Sequence, residues 1–457
     1  MTFKSVLALK QNEMKNQNKT RRDFIKKSAV GALGLSLPFT AKSYNRIIGS
    51  NERVNFAVAG INSRGKAHIR AIAAGKNAAI TYLCDVDTRT YAKGKELMSK
   101  MKMDTKIKTE NDFRKVLEDK EVDAVSIATP DHLHAGQAIW ALAAGKDVYV
   151  EKPCSHNPHE GELLVQAQKK YGKVCQMGNQ QRSAPTSQMA VQDIKDGLIG
   201  EVYYGKAWYS NNRGPIGKGK ISSVPDWLDW DLWQGVAPRR TFKDIYVHYN
   251  WHWFWHWGTG EVNNNGAHEI DVCRWALGVD YPVRVISAGG RFNYDDDWEF
   301  YDTQNVTFEF EDGKMITWEG RSCNTLPHYN RGRGSTIHGS NGSMLLDRNV
   351  YIAYDKNGKV IKEVKEKEMS ATTNTVGAGG LDVYHMNNFL DAIREGAKQH
   401  SPIDEGHKSV LLCHLGNMAQ ETGKALKIDP NTGRVLNSKK AMNMWSREYE
   451  KGWEPTV

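Results

Sequence analysis

The feature that most constrains this chain is a strand, a glycine-framed turn and a helix in immediate succession. Val54 to Ala59 is a short apolar run, Gly60-Ile61-Asn62-Ser63-Arg64-Gly65 follows, and Ala67 to Ala74 reads as a helix. Such a turn aims main-chain N–H groups at a pyrophosphate. The alternation then continues, with a strand at Ala79 to Cys84, a helix near Asp112 to Leu117, a strand at Ala124 to Ala128, a helix at Ala135 to Ala144 and a strand at Asp147 to Val150. Strands alternating with helices require a parallel sheet covered on both faces. The expected fold class is therefore α/β, with a doubly wound dinucleotide-binding Rossmann domain over residues 51–175.

Within that domain Gly60, Asn62, Arg64 and Gly65 are the expected cofactor turn. Asn62 stands where the usual pattern has its middle glycine, and Asn tolerates left-handed backbone better than most residues. Asp85 ends the second strand, 25 residues after Gly60, near the spacing at which a carboxylate accepts hydrogen bonds from the adenosine ribose. A carboxylate there repels a 2′-phosphate, so NAD is expected rather than NADP, with Arg64 and Arg89 the neighbours that could favour the phosphate.

From about Val174 the rhythm changes to aromatic loops and period-two strands such as Gln304 to Phe310 and Lys314 to Glu319, joined by the Asp312-Gly313 turn. Residues 176–457 are expected to form a C-terminal α+β domain with a large, mostly antiparallel sheet. Late helices are expected at Asn387 to Glu395 and Ser409 to Leu426. The stretch Tyr249-Asn250-Trp251-His252-Trp253-Phe254-Trp255-His256-Trp257 offers flat apolar faces with polar rims, which suits sugars. Trp251 and His252 are its candidate substrate residues, while about half of these rings are expected in the core. His248, His252 and His256 have helical i, i+4, i+8 spacing, but no Cys or carboxylate completes a ligand set and no metal is expected. The six cysteines are far apart and form no Cys-x-x-Cys pair, so neither zinc nor a disulfide framework is indicated.

The formal charge of +9 belongs to the N-terminus, because residues 1–50 hold ten Lys or Arg against two Asp or Glu. The rest of the chain is close to neutral and shows no basic run, so a nucleic-acid partner is not expected. The leader has a basic stretch, then Thr20-Arg21-Arg22-Asp23-Phe24-Ile25-Lys26-Lys27, then an apolar run of 13 residues from Ala29 to Ala41. It resembles a twin-arginine export signal, with residues 1–50 as signal and linker and a periplasmic or otherwise exported mature protein. The apolar run is shorter than the ~20 residues a membrane-spanning helix needs, so no span is expected in the mature protein.

Two further motifs end predicted parallel strands, Thr129-Pro130-Asp131-His132-Leu133-His134 and Glu151-Lys152-Pro153. Open α/β sheets bind ligands at those ends. Thr129, Pro130, His134 and Glu151 are thus assigned to the cofactor site. With these motifs the chain resembles the glucose-fructose oxidoreductase, inositol dehydrogenase and rhizopine catabolism family, Gfo/Idh/MocA, over nearly all of its length after the leader. The resemblance implies that Lys152 is catalytic and also lies at the cofactor, that Gln180 and Arg182 approach nicotinamide and substrate, and that His268 is a second catalytic group. Family dehydrogenases commonly place an Asp four residues before that His; here the position is Asn264, which can hold a substrate hydroxyl but cannot relay a proton. Asp271, three residues after His268, is expected to address the same ligand. Family sheets often pair between subunits, which implies a homo-oligomer.

The substrate class implied is a sugar, glycoside or polyol, and three readings of its fate stay open. In one, a hydroxyl loses its proton to Lys152 or His268 while a hydride moves to NAD. In another, a transient keto-sugar eliminates its aglycone and takes the hydride back, a redox-neutral glycosidase or lyase. In the third, a sugar-binding protein keeps the fold without turnover, and the retained Lys152 argues against it.

Overall fold

The computed structural model describes residues 53–103, 106–366 and 380–457; the leader expected to be a twin-arginine signal lies outside the described residues. The first sheet contains β1 (Val54–Ala59), β2 (Ala78–Cys84), β3 (Lys108–Glu110), β4 (Ala124–Ile127), β5 (Asp147–Val150) and β6 (Cys175–Met177). All six run parallel in the order β3-β2-β1-β4-β5-β6. The order reverses between β1 and β4, which opens a crevice over their carboxyl ends. β4 and β5 are buried at every residue, as continuous apolar strands covered on both faces should be.

The covering helices begin with α1 (Gly65–Ala74) and α2 (Thr90–Lys100), then α3 (Phe113–Glu118), α4 (Asp131–Ala143) and α5 (Pro158–Tyr171). A much later helix, Gly380–Glu395, returns to this sheet: its Met386, Phe389 and Leu390 share one apolar cluster with Phe56, Ile69 and Ile72. The sequence reading places that helix start seven residues too late, because Asp382 and His385 occupy buried positions in its first turns and break the apolar periodicity.

The second sheet has nine strands in the order β14-β13-β12-β11-β7-β10-β9-β8-β15. They are β7 (Val202–Ser210), β8 (Arg284–Gly290), β9 (Thr303–Glu309), β10 (Met315–Arg321), β11 (Arg333–Gly339), β12 (Gly342–Asp347), β13 (Val350–Asp355), β14 (Val360–Lys365) and β15 (Leu426–Lys427). Only β7 and β10 pair in parallel; every other neighbour is antiparallel. β9 and β10 form the hairpin read from the sequence, with Met315 opposite Glu309 and Gly313 at φ 70° in its turn. Period-two alternation puts Val306, Phe308, Ile316 and Trp318 on the inner face, against α6 (Ala267–Leu277) and the helix Ile403–Thr422. Leu426, expected at a helix end, belongs instead to β15, after Gly423 stops the helix in left-handed backbone.

All six cysteines are unpaired, five of them buried. Among the described residues no helix is long and apolar enough to cross a membrane.

Candidate active site

A cavity of about 380 Å³ runs from the Gly60 turn to α6 and the aromatic segment. At its first end the backbone comes close to itself. Gly60 sits at φ 80°, and a Cβ there would lie 2.5 Å from the Ala128 carbonyl oxygen. A Cβ on Gly65 would lie 1.9 Å from the Gly60 oxygen. Only glycine leaves this cradle open. Asp85 locks the turn: its carboxylate accepts from the Ile61 N–H at 2.6 Å and the Asp87 N–H at 2.9 Å. Burial pushes the Asp85 carboxyl above its ordinary range, opposed by those two donors. Gly60, Asn62, Arg64 and Asp85 line the cavity, and Gly65 starts the helix behind them.

Both neighbouring arginines are committed to carboxylates. Arg89 Nη2 meets Asp87 at 2.8 Å, and its guanidinium lies 3.3 Å over the Trp227 ring. Arg64 Nε meets Glu151 at 2.6 Å, and its other nitrogens meet Asp382. Neither is set aside for a 2′-phosphate, which agrees with NAD.

The loops after β4 and β5 are tied to one another. Pro130 precedes the first turn of α4, Thr129 Oγ1 donates to Gln137 at 2.8 Å, and the His134 ring nitrogens reach the Thr129 and Pro153 carbonyls at 2.7 and 2.6 Å. Beneath them Glu151 gathers Arg64, His68 at 3.0 Å and Gln180 at 2.9 Å. Burial alone would raise the Glu151 carboxyl, but Arg64 and the His68 bond hold it well below the usual range. Its negative charge is thus fixed one residue from Lys152.

Lys152 Nζ donates to the Asn264 main-chain oxygen, and to Asn264 Oδ1 at 3.2 Å. Both acceptors are neutral. Burial pulls the ammonium below the ordinary lysine value, against the opposing pull of Glu151 and Asp131. His268, on the first turn of α6, is buried and faces the same cavity; burial and the Lys152 charge hold it neutral. Between them Val262–Gly266 forms a π-turn, so Asn264 is not simply one helical turn before His268, as the spacing suggests. Glu261 anchors that turn by accepting from Asn264 Nδ2 at 3.3 Å, Arg213 at 2.9 Å and Ser322 at 3.0 Å.

Two expected substrate residues lie elsewhere. Arg182 and Asp271 form a two-pronged ion pair at 2.8 Å, 5% and 1% exposed, outside the cavity lining. Opposite charges that bury each other leave neither available to a ligand. Asp271 therefore does not share a ligand with His268. The three histidines of the aromatic segment also separate: His248 meets Asp87 at 2.8 Å, His252 meets the Tyr249 carbonyl and His256 meets the Pro238 carbonyl. The segment holds only a short 3-10 turn, Asn250–Trp253, so helical spacing does not apply. Trp251 and His252 do line the cavity, stacked on one another at 3.6 Å, while Trp253 and Trp257 are buried in the core. Burial pushes His252 down to about 3.

Sequence reasoning missed Arg213, Arg333 and Arg348 on the cavity wall, which Tyr249 of the aromatic segment also lines. Arg213 donates to Tyr249 Oη at 2.6 Å, and Arg333 is held by Glu269 at 2.7 and 2.9 Å. These partners lie 36 and 64 residues apart, beyond any local periodicity.

Residues 54–179 match the Gfo/Idh/MocA model described as oxidoreductase family, NAD-binding Rossmann fold, and residues 204–455 match the companion model described as its C-terminal alpha/beta domain. The chain is similar to levoglucosan dehydrogenase of Pseudarthrobacter phenanthrenivorans, 26% identical over 181 residues, a match spanning 38% of each chain and so well under two thirds of that relative. It is 23% identical to an alpha-N-acetylgalactosaminidase of Tannerella forsythia over 435 residues, 84% of this chain and 90% of that one. The solved structure of levoglucosan dehydrogenase in complex with NADH and levoglucosan has the same fold, with a TM-score of 0.65 at 19% identity, covering 82% of this chain and 99% of that chain. With family models matching both halves, this chain belongs to the Gfo/Idh/MocA oxidoreductases and carries their NAD-binding Rossmann fold.

Proposed function

We propose that the protein is an exported, NAD-dependent enzyme that moves a hydride to or from a sugar, glycoside or polyol. The observation that carries this reading is the Lys152 ammonium, held by neutral oxygens in the cavity that the cofactor turn opens into. NAD fits the turn because Gly60 and Gly65 leave a cradle that any Cβ would fill; bound there, it supplies the hydride acceptor. A lysine with its pKa pulled down accepts a hydroxyl proton more readily than a solvated one. Asn264 orients the amine without neutralising it, and neutral His268 offers a hydrogen bond to the same hydroxyl. Lys152 and His268 are the proposed catalytic pair, with Trp251, His252 and Asn264 as the proposed substrate wall.

A second reading, redox-neutral glycoside cleavage through a transient keto-sugar, has one observation in its favour: the match to the Tannerella glycosidase spans 84% of this chain. The Arg21-Arg22 leader supports export, and the broad second sheet supports assembly of identical subunits in the way the family suggests.

The test is to incubate the purified mature protein with a panel of glycosides, following reduced-nicotinamide absorbance and aglycone release together. NADH accumulating with substrate and no aglycone identifies a dehydrogenase. Aglycone released with no net NADH identifies the redox-neutral enzyme. Neither signal on any sugar, from protein that retains NAD, overturns turnover altogether.

A further inference from the structure

Among the described residues the cavity wall holds one arginine whose charge is not matched. Arg348 sits with Asn349 in the two-residue turn between β12 and β13, where Asp347 pairs with Val350. The turn is pinned on both sides, since the Arg348 carbonyl accepts from Thr186 at 3.4 Å and the Asn349 carbonyl accepts from the Glu366 N–H at 3.0 Å. Three other arginines of this wall are each spent on a buried carboxylate: Arg64 on Glu151, Arg213 on Glu261 and Arg333 on Glu269. Asp347, the carboxylate next to Arg348, is taken by Arg331 at 3.2 Å and by the Arg348 main-chain N–H at 2.7 Å. Among the described residues the Arg348 guanidinium makes no hydrogen bond or ion pair, yet it lines the cavity. Burial, with the like charge of Arg333, pushes it down to about 10, so it still carries its proton at neutral pH.

A half-buried guanidinium that faces a cavity and has no carboxylate of its own is placed to take its counter-charge from a ligand. We infer that Arg348 receives an oxyanion on the substrate, and that the sugar this enzyme takes is acidic, with a carboxylate of the uronate kind as the fitting group. This rests on the sugar reading above and names its substrate class. A guanidinium fork meets a carboxylate through two parallel N–H···O bonds, which favours that planar group, while a sulfate ester offers related chemistry. The cofactor pyrophosphate is a rival source of the anion. It belongs at the Gly60–Gly65 turn, whereas Arg348 follows β12, whose Leu346 pairs with Ser335 two residues after Arg333, the arginine held by Glu269 of α6. Arg348 in turn acts on His268. Its place is therefore on the substrate wall.

The test uses the full mature protein loaded with NADH and titrates it calorimetrically with three probes matched in ring: a methyl glucuronide, a methyl glucoside 6-sulfate and the neutral methyl glucoside. The wild type is expected to bind one of the acidic probes about tenfold or more tightly than the neutral one. Arg348→Gln is expected to bring acidic and neutral affinities within about twofold of one another, and Arg348→Lys to recover part of the difference, with the NAD dissociation constant unchanged in both. Equal binding of acidic and neutral sugars by the wild type overturns the proposal and leaves the sugar reading standing. Loss of NAD affinity in Arg348→Gln, with sugar preference intact, overturns it in favour of the pyrophosphate. Binding of none of the three, with NADH still held, removes the support for the sugar reading itself.

Discussion

The two ends of the cavity are built on different principles. At the cofactor end the chemistry is main chain: glycines that admit close approach, N–H groups at the start of α1, and a carboxylate, Asp85, spent on holding the turn. At the other end, the proposed substrate end, it is side chain, with Lys152 from the β5 loop, Asn264 from a π-turn, His268 from α6 and Arg348 from a hairpin lining one cavity across long sequence separations. A backbone site tolerates no added atom and takes one kind of ligand. A side-chain site can be retuned one residue at a time, which lets one fold serve many sugars.

That contrast can be broken most sharply at Lys152. Lys152→Ala is expected to lower turnover by about 10²- to 10⁴-fold while leaving NAD binding within a few-fold; joint loss of NAD affinity, measured by nicotinamide fluorescence, would mean that the two ends are not separable. Next in size is the buried pair beyond the cavity. Arg182→Ala strands Asp271 and is expected to cost about 3–5 kcal/mol of stability by denaturant unfolding, with KM unchanged in the protein that remains folded. A shifted KM would restore Arg182 to the substrate site. Gly65→Ala should act on the first end alone, weakening NAD binding and destabilising the fold by about 1–3 kcal/mol, because the new Cβ meets the Gly60 carbonyl. Thermal melts with and without NAD separate the two effects.

The smallest effect is a pH shift. In the proposed reaction oxidation of a hydroxyl needs the neutral Lys152 amine, so its rate should rise with pH through the Lys152 pKa. Because burial lowers that pKa, the rising limb should lie below the ~10.4 of a free lysine. Asn264→Asp sets a carboxylate against Nζ, favours the ammonium and should move the limb up by about one pH unit. His268 is neutral throughout this range and should add no limb near 6.5. A profile unmoved by Asn264→Asp would take the proton from Lys152.

The same contrast explains what was legible in the sequence. Glycine spacing, strand–helix alternation and the Glu151-Lys152-Pro153 motif are local patterns, and they located the cofactor turn, the parallel sheet and the loop carrying Lys152. The Arg182–Asp271 pair spans 89 residues and Arg333–Glu269 spans 64; no periodicity announces such partners, so an arginine expected at substrate is found matched in the core, and no local pattern marks Arg348 as a cavity arginine without a carboxylate. The π-turn at Val262–Gly266 likewise undoes an inference that counted residues as regular helix. In the aromatic segment three histidines at helical spacing fall in a stretch that is hardly helical.

The outermost strands carry a consequence of their own. β3 and β6 have three residues each, β15 has two, and β14 alternates Lys362, Glu363 and Lys365 along its rim. Gln176 of β6 is further bridged by Pro402, which has no N–H to offer a newcomer. Among the described residues the outermost strands are therefore short or charged, and Gln420 donates to the Gly289 carbonyl on the border of β8 that β15 leaves uncovered, which discourages another polypeptide from being templated at these margins and so works against fibrous growth.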